Sequence, residues 1–180
     1  MMNLWRDLAP GQNPPEVLNA VIEIPQGSRN KYELDKSTGL IKLDRVLYSA
    51  VHYPADYGFI PRTLHDDGDP MDVLVLLKEQ TFPGCLIEVR PIGVLQMVDR
   101  GEPDDKIMSV PVNDPYSQEY FDIADLPQHT LREVAQFFVS YKELEGKRVE
   151  IRGWGKSDEA MRLIVKSIAA YEKEYLRAGP

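Results

Sequence analysis

The 180-residue sequence predicts an α+β chain, predominantly β, in which antiparallel strands curl into a small barrel with helices packed outside it. Two observations carry this expectation. From Glu16 to Pro111 the chain runs in short β-rich segments, residues 20–24, 31–35, 40–44, 72–77 and the longer 86–98. Turn signals such as Ser37-Thr38-Gly39, Asp67-Gly68 and Pro83-Gly84 separate them, and no helical repeats intervene. After Pro127 the apolar period lengthens: Leu131, Val134, Ala135, Phe138, Tyr141 and Leu144 fall at three- and four-residue steps, with Gly146 as a stop. Residues 148–152 return briefly to strand character. Ser157 then caps a second helix whose apolar positions Met161, Ile164, Val165, Ile168 and Tyr175 share a face.

The remaining segments fit one domain over residues 1–180. The first fifteen residues hold Asp7 and several prolines where a secretory leader needs a basic start and an apolar run, and they read as an irregular arm. No repeat, low-complexity tract or long linker divides the rest. No window approaches the 18 apolar residues of a membrane span, so no membrane partner is expected. A single cysteine, Cys85, cannot form an internal disulfide, which places the chain in a reducing, cytoplasmic setting. With 21 Lys+Arg against 29 Asp+Glu, the net charge of −8 argues against a broad nucleic-acid footprint.

The densest chemical signal is Asp67-Gly68-Asp69-Pro70-Met71-Asp72, three carboxylates in six residues at the start of an apolar strand, with Asp66 alongside. Like charges this close repel, and a bound cation or a retained proton relieves them. Taken alone, the segment also reads as a solvated turn. Asp99, Asp104 and Asp105 supply a second acidic loop at the end of the long strand, and two such loops can converge on one ion. Carboxylates dominate both loops, and His52, His65 and His129 lack zinc-ligand spacing, so the ion is hard: magnesium fits best, with manganese as a substitute. A calcium EF-hand loop starting at Asp67 would need glycine where Asp72 stands and glutamate where Lys78 stands. Magnesium is commonly held together with substrate phosphates, for which Lys31, Arg45, Lys106 and Lys142 are candidate partners. Gly153-Trp154-Gly155-Lys156-Ser157 imitates the end of a phosphate-binding P-loop, but Glu150 occupies the position of the first glycine.

In order, Val21-Ile22-Glu23-Ile24-Pro25, Lys31-Tyr32-Glu33, Asp44-Arg45, Tyr53-Pro54-x-x-Tyr57-Gly58, the hexapeptide of residues 67–72, Asp99 with Asp104-x-Lys106, and Tyr141-Lys142 resemble the bacterial-type family I soluble inorganic pyrophosphatases. The likeness spans about residues 16 to 175. It implies a closed five-stranded, OB-like barrel and the hydrolysis of inorganic pyrophosphate, the by-product of biosynthesis, by a metal-activated water. It also implies several magnesium ions per site and a homohexamer. By the same resemblance Asp67, Asp72 and Asp104 match ligands of a first metal, with Asp72 reaching a second. Asp99 and Asp104 match ligands of a metal arriving with substrate, and Glu23 an acid associated with a fourth. Lys31, Arg45, Tyr57, Tyr141 and Lys142 match groups that hold phosphate, Lys106, Tyr53 and Glu33 also lie in the family's cleft, and Asp69 matches the general base. The competing expectation is a non-catalytic barrel that binds oligonucleotides.

Overall fold

A computed structural model describes residues 2–176 of the chain. Among these residues nine strands form: β1 (Leu18–Ile24), β2 (Asn30–Leu34), β3 (Ile41–Val46), β4 (Asp56–Phe59), β5 (Asp72–Val75), β6 (Leu86–Asp99), β7 (Glu102–Pro103), β8 (Lys106–Pro111) and β9 (Val149–Lys156). Two α-helices, α1 (Gln128–Ser140) and α2 (Ser157–Tyr171), complete the fold. The pairings β1–β4, β4–β5, β5–β8, β8–β6 and β6–β1 close a ring of five strands, as the resemblance implies. One pairing departs from the antiparallel expectation: β5 and β8 run parallel, with Asp72 opposite Lys106 and Val73 opposite Ile107. The crossover between them is long enough for this because β6 and β7 lie within it.

β6 makes the closure possible. Its 14 residues pair with β1 near Leu86–Val89, with β8 from Val89 to Leu95, and with β9 from Gly93 to Asp99. Register shifts at Pro91/Gly93 and Gln96/Met97 bend the strand from one neighbour to the next. Close packing elsewhere depends on Gly58, where a Cβ would lie 1.8 Å from the carbonyl oxygen of Val21 on β1.

The two-residue strand period divides the apolar side chains between separate buried clusters. Val73, Val75 and Ile107 meet Ala160 and Ile164 of α2, whereas Leu74 and Met108 meet Val134, Phe137 and Phe138 of α1. Strands buried on both faces explain the nearly continuous apolar runs of β5 and β6. A third cluster joins Trp5 of the N-terminal arm to Val21, Leu34, Phe59 and Tyr171. The arm is therefore packed: the Trp5 indole donates to the Thr63 carbonyl at 2.8 Å and is 1% exposed.

Three local expectations are corrected. α1 ends at Ser140, and Leu144 lies exposed in a 3₁₀ turn closed by Gly146 at φ +70°. Ser157 does not cap α2. It is the first helical residue, and its amide and hydroxyl donate to the Asp122 carboxylate at 3.1 and 3.2 Å, so the anionic cap comes from a distant loop. Val165 is exposed, and the buried face of α2 runs through Ala160, Ile164, Ser167 and Tyr171.

β2 and β3 stand apart as a two-stranded hairpin in which Lys31 lies opposite Arg45. It carries exposed Leu40, Leu43 and Val46, and its turn is fastened by Asp35, whose carboxylate accepts from the Ser37 and Thr38 amides.

Candidate active site

The barrel and the hairpin enclose one cleft of about 870 Å³. Its acidic wall comes from strand ends. Asp72 opens β5, Asp99 closes β6, and Asp104 precedes β8, its amide donating to the Met97 carbonyl at 2.9 Å. Asp67 and Asp69 lie in the loop between β4 and β5, where the Asp69 amide donates to the Asp67 carboxylate at 2.9 Å and Gly68 takes φ +85°. The parallel register places the Lys106 ammonium between the carboxylates of Asp72 and Asp104. The Lys142 ammonium contacts Asp99 at 2.6 Å, yet the other oxygen of Asp99, Oδ1, is buried without a partner.

Opposite stand the hairpin groups. Lys31 pairs with Glu33 and lies 3.5 Å from Asp44; Arg45 pairs with Asp44 and, at 2.8 Å, with Glu145. Tyr141 and Lys142 enter from the end of α1, and Tyr57 from β4. Glu23 of β1 completes the floor, accepting from the Leu34 amide at 2.6 Å.

Burial dominates the proton affinities. The Glu23 carboxyl is pushed up to about 8 by desolvation, opposed by its bond from Leu34 and reinforced by Asp72. Desolvation likewise raises the Asp72 carboxyl, with Lys106 pulling the other way. At Asp104 the same burial is outweighed by the charge and hydrogen bond of Lys106, so that carboxyl stays below its usual range. The two acids lift Lys106 above its ordinary value despite its burial, whereas burial prevails at Lys142 and lowers it. Tyr57 and Tyr141 are raised by burial and by neighbouring carboxylates, so both phenols remain protonated donors at neutral pH.

Of the residues singled out in the sequence, Glu23, Lys31, Glu33, Arg45, Tyr57, Asp67, Asp69, Asp72, Asp99, Asp104, Lys106, Tyr141 and Lys142 all line this cleft. Tyr53 does not. It is 2% exposed and packs between Tyr57 and Phe137, with ring centroids at 5.5 and 4.7 Å, a place from which it supports Tyr57. Asp105 turns away to accept from the Met97 amide at 3.2 Å, and Asp66 pairs with Lys166 of α2 at 2.9 Å. Sequence reasoning missed Lys36, whose ammonium pairs with Asp69, contacts the Gly68 carbonyl at 3.2 Å and stands 5.1 Å above the Trp5 ring. It also missed Glu145. Charged residues on a turn carry no periodic signal, so neither was distinguishable from a solvated side chain.

The carboxylates of a barrel wall and the cations of a hairpin thus line one cleft, a grouping of opposite charges that a solvated surface does not require. The family model for inorganic pyrophosphatase matches residues 20–172. An inorganic pyrophosphatase of Haloferax volcanii is 51% identical over 176 residues, 97% of this chain and 99% of the relative. One of Geobacillus stearothermophilus is 54% identical over 159 residues, 88% and 96% of the two chains. The crystal structure of the Thermus thermophilus inorganic pyrophosphatase superposes with a TM-score of 0.92 at 44% identity, covering 95% of this chain and 99% of that one. This chain belongs to the inorganic pyrophosphatases of family I.

Proposed function

We propose that this chain hydrolyses inorganic pyrophosphate to two orthophosphates in the cleft between barrel and hairpin. The observation that carries the reading is that Asp67, Asp72, Asp99 and Asp104 line the same space as Lys31, Arg45 and Lys142. The acid-lined wall and the net charge of −8 do not favour the oligonucleotide-binding alternative.

The donor chemistry fits hard divalent cations: every candidate is a carboxylate, and Asp99 Oδ1 is buried with no hydrogen bond to spend its charge on. Among the described residues no three acidic, histidine or cysteine side chains already converge as a ligand set, and Lys106 stands between Asp72 and Asp104. Asp67, Asp72, Asp99, Asp104 and Glu23 would hold magnesium, with manganese as a substitute. Such ions, when bound, neutralise phosphate oxygens and acidify water.

The chain's own side chains do the rest. Lys31, Arg45 and Lys142 bind phosphate oxygens and stabilise the leaving phosphate, while the protonated hydroxyls of Tyr57 and Tyr141 donate to it. Lys106 balances Asp72 and Asp104, so the wall does not repel the incoming anion. Asp69, on the exposed loop, takes the proton of the attacking water. No covalent intermediate with the protein is needed. The resemblance to the bacterial branch further supports one catalytic domain and a homohexamer, and the single cysteine supports a cytoplasmic setting. No helix among the described residues is long and apolar enough to cross a membrane.

Phosphate release from pyrophosphate tests the reading, measured with magnesium, with EDTA, and for Asp69→Asn. Release is expected to require the metal, and the variant's kcat is expected to fall about 10²–10⁴-fold with KM little changed. Absence of release under every divalent metal would overturn it, and an unchanged kcat would remove Asp69 from the role of base.

A further inference from the structure

We infer that Glu145 is a positioning residue for Arg45, tying the phosphate-binding hairpin to the segment that delivers Tyr141 and Lys142. The inference rests on the pyrophosphatase reading of Arg45 given above. Lys31 and Arg45 are direct cross-strand partners on the hairpin, so two cations meant for one polyanion repel each other before it arrives. Asp44 is shared between them, 3.5 Å from Lys31 and paired with Arg45 Nη1. Among the described residues, the one carboxylate that engages Arg45 from outside the hairpin is Glu145, 100 residues away, whose Oε1 accepts from Arg45 Nε at 2.8 Å.

Glu145 is itself held. Its side chain is 6% exposed, and its second oxygen accepts from Lys147 Nζ at 2.9 Å. Its amide donates to the Lys142 carbonyl at 3.0 Å, and Gly146, at φ +70°, turns the chain so that the Lys147 amide reaches the same carbonyl at 3.2 Å. The turn after α1 therefore carries Tyr141, Lys142 and Glu145 as one piece. With Nε on Glu145 and Nη1 on Asp44, the guanidinium is fixed at two of its three nitrogens. The third, Nη2, is buried and has no partner. A guanidinium held in this way is pre-organised, so less freedom is lost when its remaining N–H groups meet a phosphate.

The charge of Glu145 argues for orientation as its contribution. A carboxylate beside an anion-binding arginine weakens the attraction for pyrophosphate, so it assists only by holding the guanidinium in place. Two variants separate these effects. Glu145→Ala, which frees Nε, is expected to raise KM for pyrophosphate roughly tenfold with a smaller fall in kcat, since misplacing a binding group by about 1 Å costs up to 10²-fold. Glu145→Gln keeps an acceptor for Arg45 Nε but loses the charge and the acceptor for Lys147, so its KM is expected to rise less than that of Glu145→Ala.

The deciding measurement is a double-mutant cycle with Arg45→Ala, read as KM and kcat at saturating magnesium. In the Arg45→Ala background, Glu145→Ala is expected to change KM less than about twofold. If Glu145→Ala lowers the melting temperature too far to assay, Glu145→Asp draws the carboxylate back by one methylene and is expected to raise KM severalfold. A KM unmoved by both Glu145→Ala and Glu145→Asp overturns the inference, as does an effect of Glu145→Ala equally large with and without Arg45. If Arg45→Ala itself leaves KM unchanged, the assignment of Arg45 to phosphate fails and the inference falls with it. If Arg45→Ala raises KM while the Glu145 variants do not, the inference about Glu145 alone fails.

Discussion

The barrel wall and the β2–β3 hairpin hold opposite halves of the site by opposite means. Asp72 and Lys106 are set by backbone register: the parallel β5–β8 ladder fixes their separation, and the residues that follow them on both strands are fully buried. Arg45 and Lys31 are set by side-chain ion pairs on a ribbon whose strand β3 has no buried residue. Asp72 and Lys106 thus take their places from the main chain, whereas Lys31 and Arg45 take theirs from the carboxylates beside them, so the two sides of the cleft answer to different substitutions.

The largest loss of activity is expected from the barrel side. Asp72→Ala leaves Lys106, 3% exposed, with Asp104 as its one remaining partner, and the expected loss of stability is about 3 kcal/mol. Activity is expected to fall with it, and raised magnesium recovers activity only in so far as the defect is one of metal binding. Denaturant unfolding with a metal titration of the rate measures both, and a variant as stable as the parent would show that Lys106 does not need the pair. Trp5→Ala removes the prop shared by Leu34 of the hairpin and Tyr171 of α2. A loss of about 3–5 kcal/mol is expected for the protein, read by urea denaturation.

A smaller effect is expected on the hairpin itself. Leu43→Ser, at a position 49% exposed, should change stability by less than about 0.5 kcal/mol, because little apolar surface is lost. The least is expected from Asp35, whose carboxyl its bonds from Ser37 and Thr38 hold near 2, against an ordinary 3.8. A depressed carboxyl contributes stability that is present above 3.8 and is lost as pH falls through about 2. Asp35→Ala should therefore flatten the acid limb of the melting temperature between those values and leave neutral pH activity unchanged. A limb of unchanged slope would assign the acid sensitivity elsewhere.

These differences also explain what the sequence made legible. The hexapeptide of residues 67–72 was readable because local charge density requires a reason, and the two helices because their apolar period exceeds that of a strand. β4 and β8 were not read as strands: four residues with a central Gly58, and six that begin with Lys106, show no clean alternation when both faces are buried. The parallel pairing of β5 with β8 is a consequence of ring closure, and nothing local encodes it. Glu145 and Lys36 act across 100 and 33 residues of chain, where spacing is silent. Asp122 was missed as the cap of α2 for the same reason, since its bond to Ser157 spans 35 residues.

The docking of Trp5 has an optical consequence. The chain has two tryptophans, and Trp154 packs against the cluster under α1, whereas the buried Trp5 borders the cleft beneath the Lys36 ammonium. An indole emits according to the charges around it. Any movement of Lys36 away from Asp69 as an anion enters changes the field on Trp5 alone, so the fluorescence of a Trp154→Phe protein follows the opening of that ion pair in real time without an added label.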